Sequence, residues 1–339
     1  MMAVNIANEL ADIGVQSHIC TTRLEGSLKS KIAISVGYLF LNKTHTLDLR
    51  ALKKLSKYIK ENRIDIIHAH SSSYFFAFLI KIRTPKIKII WHNHYGNIIN
   101  SPIIKILVLK IVSYYFDHVI SVNEILDKWT QFNLKTNKNS YLVNFALFDF
   151  NITNYTILHG ELNKRIVCIA NLREDKDHIN LLKAFEKVLQ KYPKWTLHLV
   201  GMDLNDKYSK KIKSFIKMNN LVNSVFLYGS CSDIAYILEQ ATIGVLASKS
   251  EGLPVSLLEY GLAKLPVVVT NVGDCNKVVQ NNVNGLLIEP ANEKNLADAI
   301  LKLITNNELR MNFGTNLYKN IQHNFSKESY ISKLIKIYH

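Results

Sequence analysis

Two glutamates, Glu251 and Glu259, bracket a segment whose residue types suit an anionic ligand rich in hydroxyls. Ile243–Ala247 is apolar throughout and reads as a buried strand. A polar turn follows, and a helix is expected to begin near Pro254. In open α/β sheets, ligands bind beyond the carboxyl ends of strands. A helix starting there offers unpaired N–H groups and the positive end of its dipole to an anion. Gly252 lets the backbone approach a ligand closely. Glu251 lies in the turn and Glu259 more than a turn into the helix, so the two reach different parts of one extended ligand. A carboxylate accepting from paired hydroxyls is a common way to hold a ribose.

Other strand ends carry reactive residue types. Ile166–Ala170 runs into Asn171-Leu-Arg173-Glu-Asp-Lys176, a basic loop. Ile87–Trp91 runs into His92-Asn-His94-Tyr95-Gly96, and Ile64–His68 into Ala-His70-Ser71-Ser72. Val225–Tyr228 ends at Gly229-Ser230.

The elements that must position these residues alternate along the chain. Short apolar runs at Val15–Thr21, Ile64–His68, Ile87–Trp91, His118–Val122 and Ser140–Val143 are the strand candidates of the first half. Ile166–Ala170, Thr196–Val200, Val225–Tyr228, Ile243–Ala247 and Val267–Thr270 are those of the second. Their continuous apolarity suits strands buried on both faces of a parallel sheet. Amphipathic stretches such as Asp48–Asn62, Ile179–Lys191 and Asn292–Thr305 lie between them. The alternation implies a doubly wound α/β sheet, twice over. The length of 339 residues also favours two domains. The boundary is expected within 145–160, where periodicity fades.

The formal charge of +15 is spread along the chain, with some excess in the first half. It fits phosphorylated ligands or an anionic membrane surface. The four cysteines show no paired spacing, and no His/Cys cluster has the spacing of a zinc site, so no metal is expected. Three of the cysteines read as buried thiols, and the start shows no leader pattern, so a cytoplasmic setting is expected. Pro102–Phe116 is too short and too charged, at Lys105 and Lys110, to span a membrane. A core helix capped by Ser101, with Pro102 as its first residue, is the favoured reading; a helix resting on a membrane surface is the alternative.

The segment Ser248-Lys-Ser-Glu251-Gly252-Leu253-Pro254-Val255-Ser-Leu-Leu-Glu259, followed by Pro266-Val267, resembles the signature of retaining glycosyltransferases of family 4, which have the GT-B fold. Asn284-Gly285-Leu286-Leu287 resembles the family's next element. The resemblance extends over nearly the whole chain. It implies two Rossmann-like domains facing a cleft: residues 1–148 on the acceptor side, 149–324 binding the nucleotide-sugar donor, and 325–339 as a final helix returning to the first domain. It also implies roles. Glu251 contacts donor-sugar hydroxyls, Glu259 binds the ribose, and the backbone around Leu253 and Val255 meets the diphosphate. Ile166–His178 resembles the family's strand and loop that place an arginine and a lysine on that diphosphate. Lys176 matches, while Asn171 stands at the arginine position and Arg173 is the candidate substitute. The family places a histidine at the end of a first-domain strand to reach the donor sugar. His92 or His94 fills it, with His92 favoured as the first after the apolar run. His70 and Ser71 are weaker candidates on the acceptor side, and Gly229 borders the base. Asp175-Lys176-Asp177 has the Asp-x-Asp form of another fold's metal motif but overlaps this better-matched loop.

Family members open with a strand and a glycine-rich loop. The chain opens in the helix that follows, so the first sheet is expected to be one strand short. The activity implied is transfer of a hexose-type sugar, with retention, from a nucleoside diphosphate, UDP most often in this family. The acceptor is a glycan or lipid-linked hydroxyl in cell-surface polysaccharide synthesis, and no metal, cofactor or nucleic acid is needed. A nucleotide-sugar epimerase of the same fold and a non-catalytic paralogue are the alternatives.

Overall fold

A computed structural model describes residues 1–94, 101–136, 138–148 and 155–339. Tyr95 and Gly96, and residues 149–154 of the expected boundary region, lie outside the described residues. The chain forms two compact units, Met1–Asn144 with Lys327–His339, and Phe145–Ser326.

In the first unit, β1 (His18–Thr21) and β2 (Gly37–Phe40) pair in parallel, flanked by α1 (Met2–Asp12). A separate parallel sheet runs β3 (Ile66–His70), β4 (Lys88–Asn93), β5 (His118–Ser121), β6 (Asn139–Tyr141). Its connections are α3 (Tyr74–Arg83), α4 (Ile103–Val112) and α5 (Glu124–Asn133), and α2 (Leu49–Glu61) leads into it from β2. Asp48 caps α2 by accepting from the N–H groups of Arg50 and Ala51, and Asn123 caps α5 at Leu126. Five of the six residues of β4 are buried, as its apolar run requires. A cavity of about 520 Å³ lies between β1 and β3. The final helix, α13 (Lys327–Tyr338), packs on α1, with Lys327 Nζ 3.0 Å from Glu9 Oε2.

The second unit is one parallel sheet of six strands, ordered β12-β11-β10-β7-β8-β9. The strands are β7 (Arg165–Ile169), β8 (Thr196–Val200), β9 (Val225–Gly229), β10 (Ile243–Leu246), β11 (Val267–Thr270) and β12 (Leu286–Ile288). Helices α6 (His178–Lys191), α7 (Lys207–Met218), α8 (Ile234–Glu239), α9 (Val255–Leu262), α10 (Cys275–Val278), α11 (Glu293–Thr305) and α12 (Asn307–Asn324) connect and cover them. This is the doubly wound order in which the winding reverses between β7 and β10. Those two strands pair only at Ile243–Ile166 and Gly244–Val167, then part. The buried Tyr260 hydroxyl fills the divergence and accepts from the Ile169 N–H at 2.7 Å. The side-chain ring of Tyr260 also explains Gly244, where a Cβ would meet it at 2.9 Å.

Three expectations differ. The strands β2 and β12 escape a search for buried runs, because they are short and only partly buried. Pro102–Phe116 is no core helix. Only Leu109 and Val112 of α4 are buried, and Ile103, Ile104, Leu107 and Ile111 are exposed. The helix also begins one residue later than expected, with Pro102 in the cap position. Of the cysteines, Cys168 and Cys275 are buried, Cys231 is intermediate and Cys20 is exposed.

Candidate functional site

The divergence of β7 and β10 opens a pocket of about 310 Å³ in the second unit. Strand ends and one helix end build it: Ala170 and Asn171 after β7, Gly201 after β8, Ser230 and Cys231 after β9, and Pro254, Val255 and Ser256 at the start of α9. Lys176, Glu251 and Glu259 supply its ionisable groups. No side chain caps α9, so its first N–H groups face the pocket end without a capping oxygen. That leaves an anion-binding end of the kind a diphosphate uses.

Lys176 Nζ donates to both Glu251 oxygens at 2.7 Å, and the Ser248 hydroxyl donates to Oε1 at 2.6 Å. The Glu251 side chain is 7% exposed and that of Lys176 is 18% exposed. Ser248 is itself buried, so it fixes the carboxylate from behind. Gly273 lies against the same turn with a φ of +55°, and a Cβ there would meet the Glu251 carbonyl at 2.2 Å. Glycine is therefore required for the turn to close. Asp274 N–H donates to the Gly252 carbonyl at 2.8 Å, tying the two loops together. Glu259 faces the pocket from α9, and burial pushes its carboxyl up to about 7. A group poised there gains charge readily when a ligand offers it hydroxyl donors.

Other expected residues take different places. Arg173 is exposed, does not line the pocket, and pairs through Nε with Asp175 at 3.1 Å. Lys176 is therefore the cation that lines the pocket, while Arg173 is paired with Asp175 beside it. Asn171 accepts from the Met202 N–H at 2.8 Å and so holds the turn after β8. Gly201 permits that turn, because a Cβ would meet the Ala170 carbonyl at 2.2 Å. Gly229 ends β9 with a φ of +69°, but Ser230 and Cys231 line the pocket beyond it. Gly252 and Leu253 shape the turn without lining the pocket. Ser256, Cys231 and Ile234 line it and were missed, because each touches the pocket only through chain geometry that pattern reading does not contain.

In the first unit, β3 and β4 end in His68-Ala-His70 and His92-Asn-His94. His92 is fully buried, and His68 Nε2 lies 3.1 Å from its Nδ1. His94, two residues on, is partly exposed. His70 Nδ1 lies 2.9 Å from His94 Nε2. Ser71 has a φ of +48°, a strained conformation held in part by Trp91 Nε1 donating to its carbonyl at 2.8 Å.

Residues 157–320 match the family described as Glycosyl transferases group 1, and residues 1–135 match Glycosyltransferase Family 4. The chain is a glycosyltransferase of the GT-B fold. It is 28% identical to an uncharacterised glycosyltransferase of Methanocaldococcus jannaschii, over 98% of this chain and 92% of that one. It is 24% identical to the N-acetyl-α-D-glucosaminyl L-malate synthase of Bacillus anthracis, over 100% of this chain and 93% of that one. Among solved structures, Anabaena HepE in complex with UDP and glucose has a TM-score of 0.79 at 17% identity, covering 98% of this chain and 93% of that one. At that identity the likeness concerns the fold. The glycosyltransferase assignment gives the pocket at the β7–β10 divergence its context, since the group 1 match spans all the residues that line it.

Proposed function

We propose that this glycosyltransferase moves a hexose-type sugar from UDP to a lipid-linked or glycan hydroxyl with retained configuration. The observation that carries the reading is the pairing of Glu251, clamped by Lys176 and Ser248, with the perturbed Glu259 in one pocket at an uncapped helix start. That set supplies a hydroxyl acceptor, a cation, a ribose acceptor and an anion-binding helix end. The diphosphate would be held by Lys176 and the α9 N–H groups, with no metal assigned to this pocket. UDP as donor is supported by the complex of Anabaena HepE with UDP and glucose.

In the reaction so read, the acceptor oxygen attacks the anomeric carbon from the face that UDP leaves. The bond from that carbon to the β-phosphate oxygen breaks, and the departing phosphate oxygen takes the acceptor proton. Positive charge near the leaving group lowers the barrier, because negative charge grows there. Residues 1–148 would serve the acceptor, with His94, His70 and Ser71 at the strand ends. The exposed apolar face of α4, flanked by Lys105 and Lys110, favours an acceptor carried by a membrane lipid and a peripheral location.

The test is incubation of the chain with a panel of UDP-sugars, with and without lipid-linked and glycan acceptors. UDP release that requires both an acceptor and Glu251, with an α-configured product from an α-configured donor, is expected. Interconversion of free UDP-sugars without acceptor would overturn the reading in favour of an epimerase.

A further inference from the structure

The two His-x-His pairs form a second chemical cluster, within the first unit. Alternation along a strand puts residues two apart on one face. The parallel register sets His70 beside His92. His68, His70, His92 and His94 therefore gather as a two-by-two patch, with neighbouring ring centroids 3.9 to 5.1 Å apart. One ring nitrogen from each of His68, His70 and His92 lies within 4.8 Å of the others.

We propose that His68, His70 and His92 form a binding site for a divalent transition-metal ion, zinc being the best match. The donor set is nitrogen alone, which suits zinc, nickel or copper and not magnesium or calcium. Metal-bound histidines direct their other N–H to an outer partner. Such partners are present: Tyr338 Oη lies 2.8 Å from His68 Nδ1, and His94 Nε2 lies 2.9 Å from His70 Nδ1. With those N–H groups directed outward, Nε2 of His68 and of His70 each present a lone pair. His68 Nε2 and His92 Nδ1 are 3.1 Å apart, close to the roughly 3.3 Å separating two nitrogens on one tetrahedral zinc.

His68 and His70 also line the 520 Å³ cavity beside β1. The sequence hides this site, since the 24-residue separation of the two strands matches no metal motif.

The experiment uses the full chain, stripped with a chelator and dialysed. Zinc is titrated by calorimetry and cobalt(II) by visible absorption. One ion per chain, with the absorption of tetrahedral cobalt, is expected. His68→Gln and His92→Gln should each weaken zinc at least tenfold, and Tyr338→Phe about tenfold. His45→Gln, at an exposed histidine, should change nothing. No binding to the folded chain, or binding that survives both ligand substitutions, would overturn the site and leave the rings as a hydrogen-bonded cluster. If the substituted chains fail to fold, X-ray absorption of the zinc-loaded wild type decides. A nitrogen first sphere with imidazole scattering supports the proposal, and sulfur or carboxylate ligation sinks it. None of these readouts depends on sugar transfer.

Discussion

Lys176 Nζ stands 2.7 Å from each carboxylate oxygen of Glu251, although 75 residues separate them and they leave the sheet from different strands. The pair straddles the point where β7 and β10 part. A lysine there neutralises the carboxylate in the free pocket and offers its charge to a phosphate when a donor binds. Lys176→Ala should therefore lower kcat for UDP-sugar transfer by about 10²–10³, the usual cost of removing one oriented donor from a developing oxyanion. Steady-state UDP release at saturating acceptor checks this. An unchanged kcat with a raised KM alone would show that Lys176 binds the donor without favouring the transition state.

Glu259 gives a pH prediction with a definite sign. Its folded-state value is raised by burial to about 7, above that of an unfolded glutamate. The folded chain thus holds a proton across roughly pH 4.5–7 that the unfolded chain has lost. This group favours the folded state at the acid end of that window, and the advantage fades as pH rises through it. Glu259→Gln should raise the melting temperature at pH 8 and leave it nearly unchanged at pH 4. Nucleotide binding runs the other way. Ribose hydroxyls donate best to the ionised carboxylate, so UDP affinity should climb between pH 6 and 8 in the wild type and stay flat in the glutamine variant. Calorimetry at three pH values reads both slopes.

Much of the second unit could be read from its residues because its strands are buried on both faces. Ile166, Val167 and Cys168 have no choice of exposed side, so the pattern is unbroken and the strand is found. By contrast, Leu39 is the one buried residue of β2, and β12 has three residues, so neither stands out from loop. Glu251, Glu259 and Lys176 were legible because a linear motif carries them. The pairing of Arg173 with Asp175 was not, since a salt bridge two residues away leaves no mark on spacing. The histidine patch depends on register: shifting β4 by one residue would send His92 to the opposite face. Nothing in a single chain's order of residues fixes that pairing.

Gly273 tests the loop that backs Glu251. Its φ of +55° is strained for other residues, and an added Cβ would sit 2.2 Å from the Glu251 carbonyl and 2.6 Å from that of Gly252. Both contacts are backbone, so no side chain can swing aside. Gly273→Ala should destabilise the second unit by about 1–3 kcal/mol and displace Glu251 from Lys176. The chain should fold with a lowered melting temperature and lose most of its UDP affinity. Retained affinity with an unchanged melting point would mean that the turn relaxes without cost.

The face of α4 carries the last prediction. Ile103 and Ile104 are 76% and 77% exposed, and Leu107 and Ile111 continue the same stripe one and two turns on. Tyr114 follows beyond the helix, also exposed. Apolar side chains in a stripe flanked by Lys105 and Lys110 suit a bilayer surface that is apolar within and anionic at its edge. No helix among the described residues is long and apolar enough to cross a membrane, so contact would be lateral. The wild-type chain should sediment with vesicles containing anionic lipid, and less with neutral ones. Ile104→Asp with Leu107→Asp should abolish sedimentation, because two buried carboxylates oppose insertion and repel the headgroups. The same variant should retain UDP binding, since both positions lie in the first unit and the pocket is built within the second. Activity on a short water-soluble acceptor should survive while activity on a vesicle-borne lipid acceptor falls by an order of magnitude or more. Equal loss on both acceptors would assign the face to folding or to a protein partner.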